Sequence, residues 1–152
     1  MDPHHLTRRA FLAAATTTAL AAAAPRVNAA RVVPRKLSPN EKMNIAGIGV
    51  GGMGRGNVDA CAVTENIAAL CDVDFKYAGG TLAAYPKARR HTDYRKMFDA
   101  EGDQIDAVVI ATPDHTHAVI AMEAVRRGKH VYCQKPLTHS VAETRALTLA
   151  AR

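Results

Sequence analysis

Short apolar runs alternate with helical patterns five times between Met43 and Arg152. The predicted strands are residues 43–49, 65–73, 88–92, 106–112 and 129–133. The fourth, "DAVVIAT", is apolar on both faces, which is typical of a parallel strand buried between two helix layers. Because right-handed crossovers place helices on both faces of such a sheet, the alternation predicts an α/β fold with a doubly wound parallel sheet of the Rossmann type.

Helix boundaries are predicted from capping residues. A glycine-rich turn should lead into a helix near residues 53–62, and Gly128 can adopt the left-handed conformation that ends a helix. The Ser140 and Glu143 pair has the spacing of a capping box. Further helix starts are predicted at three aspartates: Asp74, Asp93 and Asp114.

The first 29 residues are predicted to be an export signal. Arg8 and Arg9 precede an alanine-rich apolar stretch that Pro25 interrupts, and this layout is typical of a twin-arginine signal peptide. Residues 30–42 are predicted to be a linker, and 43–152 the folded domain. We therefore expect recognition by the twin-arginine export machinery and a periplasmic or otherwise exported location.

Charge and cysteine content argue against several classes. The net charge is +6, but no run of basic residues occurs, so a nucleic-acid partner is not expected. Cys61, Cys71 and Cys133 form neither a C-x-x-C motif nor an even set, so neither a zinc site nor a disulfide framework is predicted.

The glycine-rich turn has the spacing of a dinucleotide-binding fingerprint. Gly49-x-Gly51-x-x-Gly54 follows a predicted strand and opens a predicted helix, as the fingerprint requires. The frame Gly47-x-Gly49-x-x-Gly52 also fits, but the later frame leaves a longer strand. Asp72 follows the second strand, where an acidic residue would bind the ribose hydroxyls and disfavour a 2′-phosphate. NAD is therefore predicted over NADP.

Two further strand ends carry polar residues. After the fourth strand, His115 and His117 are expected to face the cleft, although ordinary helix-start residues are the commoner outcome. Their spacing points the side chains in different directions, so no metal site is predicted. After the fifth strand, Lys135 could stabilise the alkoxide-like charge of hydride transfer, although most lysines are surface residues.

Taken together, these motifs resemble the Gfo/Idh/MocA family of oxidoreductases. The resemblance covers residues 43–152 and is carried above all by "ATPDHTH" and "GKHVYCQKP". It implies an NAD(P)-binding Rossmann domain followed by an α/β substrate domain that supplies an acid/base histidine. Lys135 matches the lysine of the family's Glu-Lys-Pro motif, with Gln134 in place of the usual glutamate. The cofactor contacts it implies are Gly49, Gly51, Gly52, Met53, Gly54, Asp72, Thr112, Pro113, His115, His117, Gln134, Lys135 and Pro136.

Three functions remain open from the sequence. The leading one is an exported oxidoreductase acting on a sugar, cyclitol or related polyol, homo-oligomeric at full length. The others are an NAD-dependent glycosidase that oxidises its substrate transiently, and a non-catalytic nucleotide-binding protein. The substrate domain should follow Arg152, so we expect the 152-residue chain alone to catalyse no polyol oxidation.

Overall fold

The structure is a computed structural model that describes residues 36–152. The predicted twin-arginine signal lies outside the described residues. Residues 36–42 form no helix or strand. The strands are β1 Asn44–Ile48, β2 Asn66–Cys71, β3 Arg89–His91, β4 Ala107–Ile110 and β5 His130–Cys133. The helices are α1 Met53–Ala62, α2 Gly79–Ala84, α3 Tyr94–Glu101, α4 Asp114–Arg126 and α5 Val141–Ala150, with a 3₁₀ turn at Gly102–Gln104.

The five strands form one parallel sheet in the order β3-β2-β1-β4-β5. This confirms the predicted Rossmann-type fold. Ile48 at the end of β1 pairs with Cys71 on one side and Ile110 on the other, and Ile110 pairs with Cys133. The strands therefore end at one level, and the residues that follow them share one edge. Strand order reverses between β1 and β4, which is where ligands bind in such sheets.

The core fills both sides of the sheet. The larger buried cluster includes Met97, Phe98 and Ile105 from the α3 region and Ile120 from α4, packed on β1, β2 and β4. A second cluster packs α1 and α2 on the sheet, with Val58 and Leu82 buried. At the sheet's edge, Tyr132 of β5 is exposed. No helix within residues 36–152 is long and apolar enough to cross a membrane.

Three of the predicted helix boundaries are confirmed. The Asp93 carboxylate accepts a hydrogen bond from the Arg95 amide at the start of α3. Ser140 and Glu143 form the full capping box of α5. Gly128 has φ +68° after α4, so its lack of a side chain permits the left-handed turn into β5.

Two predicted caps were wrong. Asp74 starts no helix, because its carboxylate accepts from the Lys76 and Tyr77 amides and closes a local turn; α2 begins only at Gly79. At α4 the N-cap position belongs to Pro113, which is already extended at φ −60° and ψ 145°, and Asp114 is the first helical residue. The Asp114 carboxylate makes no capping hydrogen bond, but its negative charge interacts favourably with the positive end of the α4 dipole.

Candidate functional site

A cleft of about 690 Å³ opens at the carboxyl edge of the sheet. It is lined by the segments that directly follow β1, β2, β3 and β4, which we call the exits of these strands. Its position is the one where strand order reverses. The lining residues include Gly49, Gly51, Asp72, Asp74, Tyr77, Thr92, Asp93, Tyr94, Arg95, Thr112, Pro113, Thr116 and Val119. The exits of several strands thus contribute to one elongated site.

The glycine-rich turn forms the cleft's floor at the start of α1. Gly49 has φ +76°, and a side chain there would meet the Thr112 backbone at 2.8 Å. A side chain at Gly54 would collide with the Gly49 carbonyl oxygen, so Gly54 lets α1 pack directly against the turn. This geometry fits the later of the two predicted frames. The positive dipole end of α1 at this turn suits an anionic pyrophosphate.

Two residues outside the fingerprint shape the same turn. The Thr81 hydroxyl is buried and donates to the Val50 carbonyl at 2.7 Å, which fixes the turn to α2. The Tyr77 ring fills the space in which side chains at Gly51 or Gly52 would lie. The Tyr77 ring is 68% exposed, so it covers the turn from the solvent side.

Asp72 lies beside this turn. One carboxylate oxygen accepts from the Gly51 amide at 3.0 Å, and the other accepts from the Asp74 amide at 3.0 Å. Two backbone donors therefore orient the carboxylate toward the glycine turn. Each oxygen retains a lone pair that can accept from a ribose hydroxyl.

The exit of β3 contributes residues that sequence reasoning missed. Thr92, Asp93, Tyr94 and Arg95 line the cleft, and the Arg95 guanidinium lies over the Tyr94 ring, 4.4 Å from its centroid. Arg95 also pairs with the Asp93 carboxylate at 3.7 Å. The feature that could have revealed these residues is the position of β3 beside β2 in the sheet. A strand that directly neighbours β2 has its carboxyl end beside Asp72, however short that strand is.

Cys71 is buried at the cleft's inner wall. Burial, with smaller contributions from the Asp72 and Asp93 charges, raises the pKa of its thiol to about 12. The thiol therefore stays protonated at neutral pH and is a poor nucleophile.

The β4 exit supplies the opposite wall. Thr112 and Pro113, two of the predicted cofactor contacts, line the cleft. The Thr116 hydroxyl donates to the Pro113 carbonyl and contacts the Thr112 hydroxyl at 2.8 Å. His115 and Met53 are exposed, and neither lines the cleft.

His117 differs from its predicted orientation toward the cleft. Its ring is 1% exposed and lies between two backbone carbonyls, with Nε2 2.8 Å from Thr112 O and Nδ1 2.7 Å from Pro136 O. The prediction was wrong because one partner comes from the turn after β5, which spacing within α4 cannot reveal. His117 therefore ties the cleft's wall to the Gln134–Pro136 turn.

The turn after β5 lies beside the cleft rather than in its lining. Gln134 extends the hydrogen bonding between β4 and β5 by one residue, because its amide donates to Ile110 O at 2.9 Å. The Lys135–Pro136 peptide bond is cis. The Lys135 side chain is exposed, and no hydrogen bond or ion pair engages its ammonium within the described part of the chain. Lys135 is therefore free to meet a ligand that extends from the cleft across the end of β4.

Within residues 36–152, no group of three or more histidine, cysteine, aspartate or glutamate side chains is arranged to hold a metal ion.

Comparison with known proteins identifies relatives of this chain. Inositol 2-dehydrogenase 2 of Saccharopolyspora erythraea is 40% identical over 99 residues, covering 62% of this chain and 28% of the relative. An alpha-N-acetylgalactosaminidase of Shewanella oneidensis is 31% identical over 165 residues, covering 92% of this chain and 36% of the relative. The chain thus spans about a third of the length of the curated relatives it matches.

A solved structure shows the same fold. GenD2 from gentamicin A biosynthesis, in complex with NAD, superposes with a TM-score of 0.67 at 28% identity, covering 78% of this chain and 34% of GenD2. Residues 43–152 also match the family described as "Oxidoreductase family, NAD-binding Rossmann fold". The chain therefore belongs to the Gfo/Idh/MocA family of oxidoreductases, and residues 43–152 are its NAD-binding Rossmann domain.

Proposed function

We propose that this chain is the cofactor-binding part of an exported, NAD-dependent oxidoreductase that acts on a sugar, cyclitol or related polyol. The observation that carries the proposal is the shared edge of the sheet. The glycine turn and Asp72 lie on one side of the cleft, and an unpaired Lys135 lies beyond its β4 wall. A dinucleotide with its pyrophosphate at Gly49–Gly54 and its ribose at Asp72 can extend toward Lys135.

Each of these residues has a defined task. Amides at the start of α1 bind the pyrophosphate, and the Asp72 carboxylate accepts from the ribose hydroxyls. Bound NAD would accept the hydride from the substrate. The Lys135 ammonium donates a hydrogen bond to the substrate oxygen and stabilises its developing negative charge. A proton acceptor for the substrate hydroxyl is expected from the substrate domain.

The relatives support the substrate class. Several are named inositol 2-dehydrogenases, and one, from Pseudarthrobacter phenanthrenivorans, is named levoglucosan dehydrogenase. The substrates in these names, inositol and levoglucosan, are both rings that carry hydroxyl groups. A hydroxyl group on such a ring is what a hydride-transferring site at Lys135 would oxidise.

The test is NADH formation by the full-length protein with a panel of inositols, aldoses, anhydrosugars and linear polyols. The proposal predicts oxidation of at least one cyclic polyol with NAD preferred over NADP. NAD binding without turnover of any panel member would favour the non-catalytic alternative.

A second candidate rests on the similarity to the alpha-N-acetylgalactosaminidase. In that case the same hydride step would be transient, because the substrate is reduced again after the glycosidic bond is broken. Cleavage of a chromogenic N-acetylgalactosaminide without net NADH would identify this activity, whereas net NADH from a free polyol would identify the first.

Export is proposed from the Arg8 and Arg9 pair. The galactosaminidase alignment covers a larger share of the chain than residues 43–152 make up, so the similarity reaches into the residues before Met43. Replacing both arginines with lysine should retain the protein in the cytoplasm, measured by fractionation. Normal export of the double variant would refute the twin-arginine route.

A further inference from the structure

A side-chain hydrogen bond joins helix α1 to the turn after β5. Gln134 Nε2 donates to Asn57 Oδ1 at 3.1 Å, across 77 residues of sequence. Asn57 lies in α1, one turn after the glycine-rich segment, and Gln134 directly precedes Lys135. The bond therefore links the helix that begins at the cofactor turn with the residue next to the proposed catalytic lysine.

Beside this contact, one polar atom of Asn57 is unsatisfied. Within the described residues, Asn57 Nδ2 is buried and has no hydrogen-bond partner. Such an atom costs roughly 1–3 kcal/mol. Exchanging the oxygen and nitrogen of both amides would preserve the contact but would still leave one Asn57 atom unpaired. The contact therefore satisfies Asn57 Oδ1, while the Asn57 Nδ2 donor beside it is left without an acceptor among the described residues.

The backbone of the Lys135 turn is held on several sides. The Gln134 amide donates to Ile110 O at 2.9 Å, and the Lys135 amide donates to Gln134 Oε1 at 3.3 Å. On the α4 side, the buried His117 ring contacts Pro136 O at 2.7 Å. The Gln134 side chain therefore bridges Asn57 of α1 and the Lys135 backbone, while the Lys135 side chain stays unpaired.

The other end of the link is rigid. A side chain at Gly54 would collide with the Gly49 carbonyl, so α1 is packed directly on the pyrophosphate turn. Val58, adjacent to Asn57, is fully buried against the sheet. Asn57 therefore cannot move independently of the turn.

We propose that Asn57, acting through Gln134, is a positioning residue that holds Lys135 at a set distance from the pyrophosphate turn. The inference rests on the proposed oxidoreductase function, because it explains how Lys135 reaches the reacting end of a cofactor bound at that turn. Neither amide touches the reacting atoms. Their contribution is to the geometry, where an error of about 1 Å can cost a hundredfold in rate.

The test compares two asparagine variants of the full-length protein. Asn57→Ala removes the link. Asn66→Ala is the matched control, since Asn66 Nδ2 donates to Asn44 Oδ1 at 3.2 Å at the opposite edge of the sheet. We expect Asn57→Ala to lower kcat about tenfold, with the Kd for NAD changed less than about twofold. Amide hydrogen exchange in residues 134–137 should also become faster than in Asn66→Ala.

A second pair keeps the test decisive if Asn57→Ala folds poorly. Gln134→Ala removes the link from the other side, whereas Gln134→Glu offers an acceptor to the unpaired Asn57 Nδ2. We expect kcat for Gln134→Glu to exceed that for Gln134→Ala about tenfold. Equal kcat in this pair, or equal kcat and equal exchange in the two asparagine variants, would overturn the proposal.

The two proposals can fail separately. If the parent protein oxidises no substrate, the proposed function fails and amide exchange decides the inference. Faster exchange at residues 134–137 in Asn57→Ala than in Asn66→Ala would then support the link, and equal exchange would overturn it.

Discussion

The carboxyl edge of the sheet has two halves that are built differently. The nucleotide half is the open cleft at the carboxyl ends of β1, β2 and β3, which carries the Asp72 carboxylate together with Asp93 and Arg95 and has Thr112 on its opposite wall. The lysine half, formed by the start of α4 and the turn after β5, has polar side chains that are held by contacts within the protein. His117 contacts two carbonyls there, and Gln134 contacts Asn57.

This difference separates binding from positioning. The nucleotide half is an open cleft at the start of α1, so its substitutions should change affinity for the nucleotide. In the lysine half, the exposed Lys135 ammonium has no hydrogen bond or ion pair within the described residues, so substitutions in this half should change turnover. The following predictions test that separation, from the largest expected effect to the smallest.

Lys135→Ala should lower turnover of the full-length enzyme about a hundredfold or more, because it removes one preorganised donor to the developing charge. NAD affinity should change little, because Lys135 lies outside the cleft that binds the nucleotide. Steady-state kinetics with calorimetric NAD titration measures both. Lys87→Ala, an exposed lysine far from this edge, is the control, and near-normal turnover of Lys135→Ala would remove the catalytic role.

Two glycines of α1 offer a matched pair in the nucleotide half. Gly54→Ala should destabilise the protein by about 1–3 kcal/mol and abolish tight NAD binding, because the added methyl group collides with Gly49 O. Gly56→Ala should instead stabilise it by about 0.5–1 kcal/mol, since nothing lies within 4 Å of the new carbon. Urea unfolding distinguishes them, and equal stability of the two variants would contradict the packing described at Gly54.

Asp72→Ala should weaken NAD binding about tenfold, the scale of losing a hydrogen bond to a charged group. It should also reduce the preference for NAD over NADP, because the carboxylate no longer repels a 2′-phosphate. Asp103→Ala, in the 3₁₀ turn before β4, serves as control. Equal affinity of the parent protein for both cofactors, by calorimetry, would argue against the ribose assignment.

The smallest effect concerns pH. The Cys71 pKa is raised from 9.0 to about 12, so above pH 9 the unfolded chain loses this proton while the folded protein retains it. Stability should therefore fall as pH rises from about 9 toward 12, and Cys71→Ala should flatten that fall by on the order of 1 kcal/mol. Urea unfolding at several alkaline pH values measures the slope. An identical slope in both proteins would show that Cys71 is not the group responsible.

The sequence predicted the two halves unequally. In the nucleotide half, the glycine spacing and Asp72 are local signals, and the structure places them together because β1 and β2 are neighbours. The β3 exit was missed because "ARRHT" is short and polar, although its position beside β2 brings Tyr94 and Arg95 into the cleft.

In the lysine half, the strands and helices were predicted well but the side-chain contacts were not. His117 was expected to face the cleft, yet its ring is held by a carbonyl from the turn after β5. Gln134 meets Asn57 across 77 residues of sequence. Periodicity and spacing report only local geometry, so contacts that close between distant elements stay hidden until the fold is known.

The most direct test of this account is a crystal structure of the full-length protein with NAD. We expect the pyrophosphate at Gly49–Gly54, the adenosine ribose hydroxyls on Asp72, and the nicotinamide ring beside the Lys135 ammonium. NAD bound in the reverse direction, or at another surface, would contradict the assignment of binding to one half and chemistry to the other.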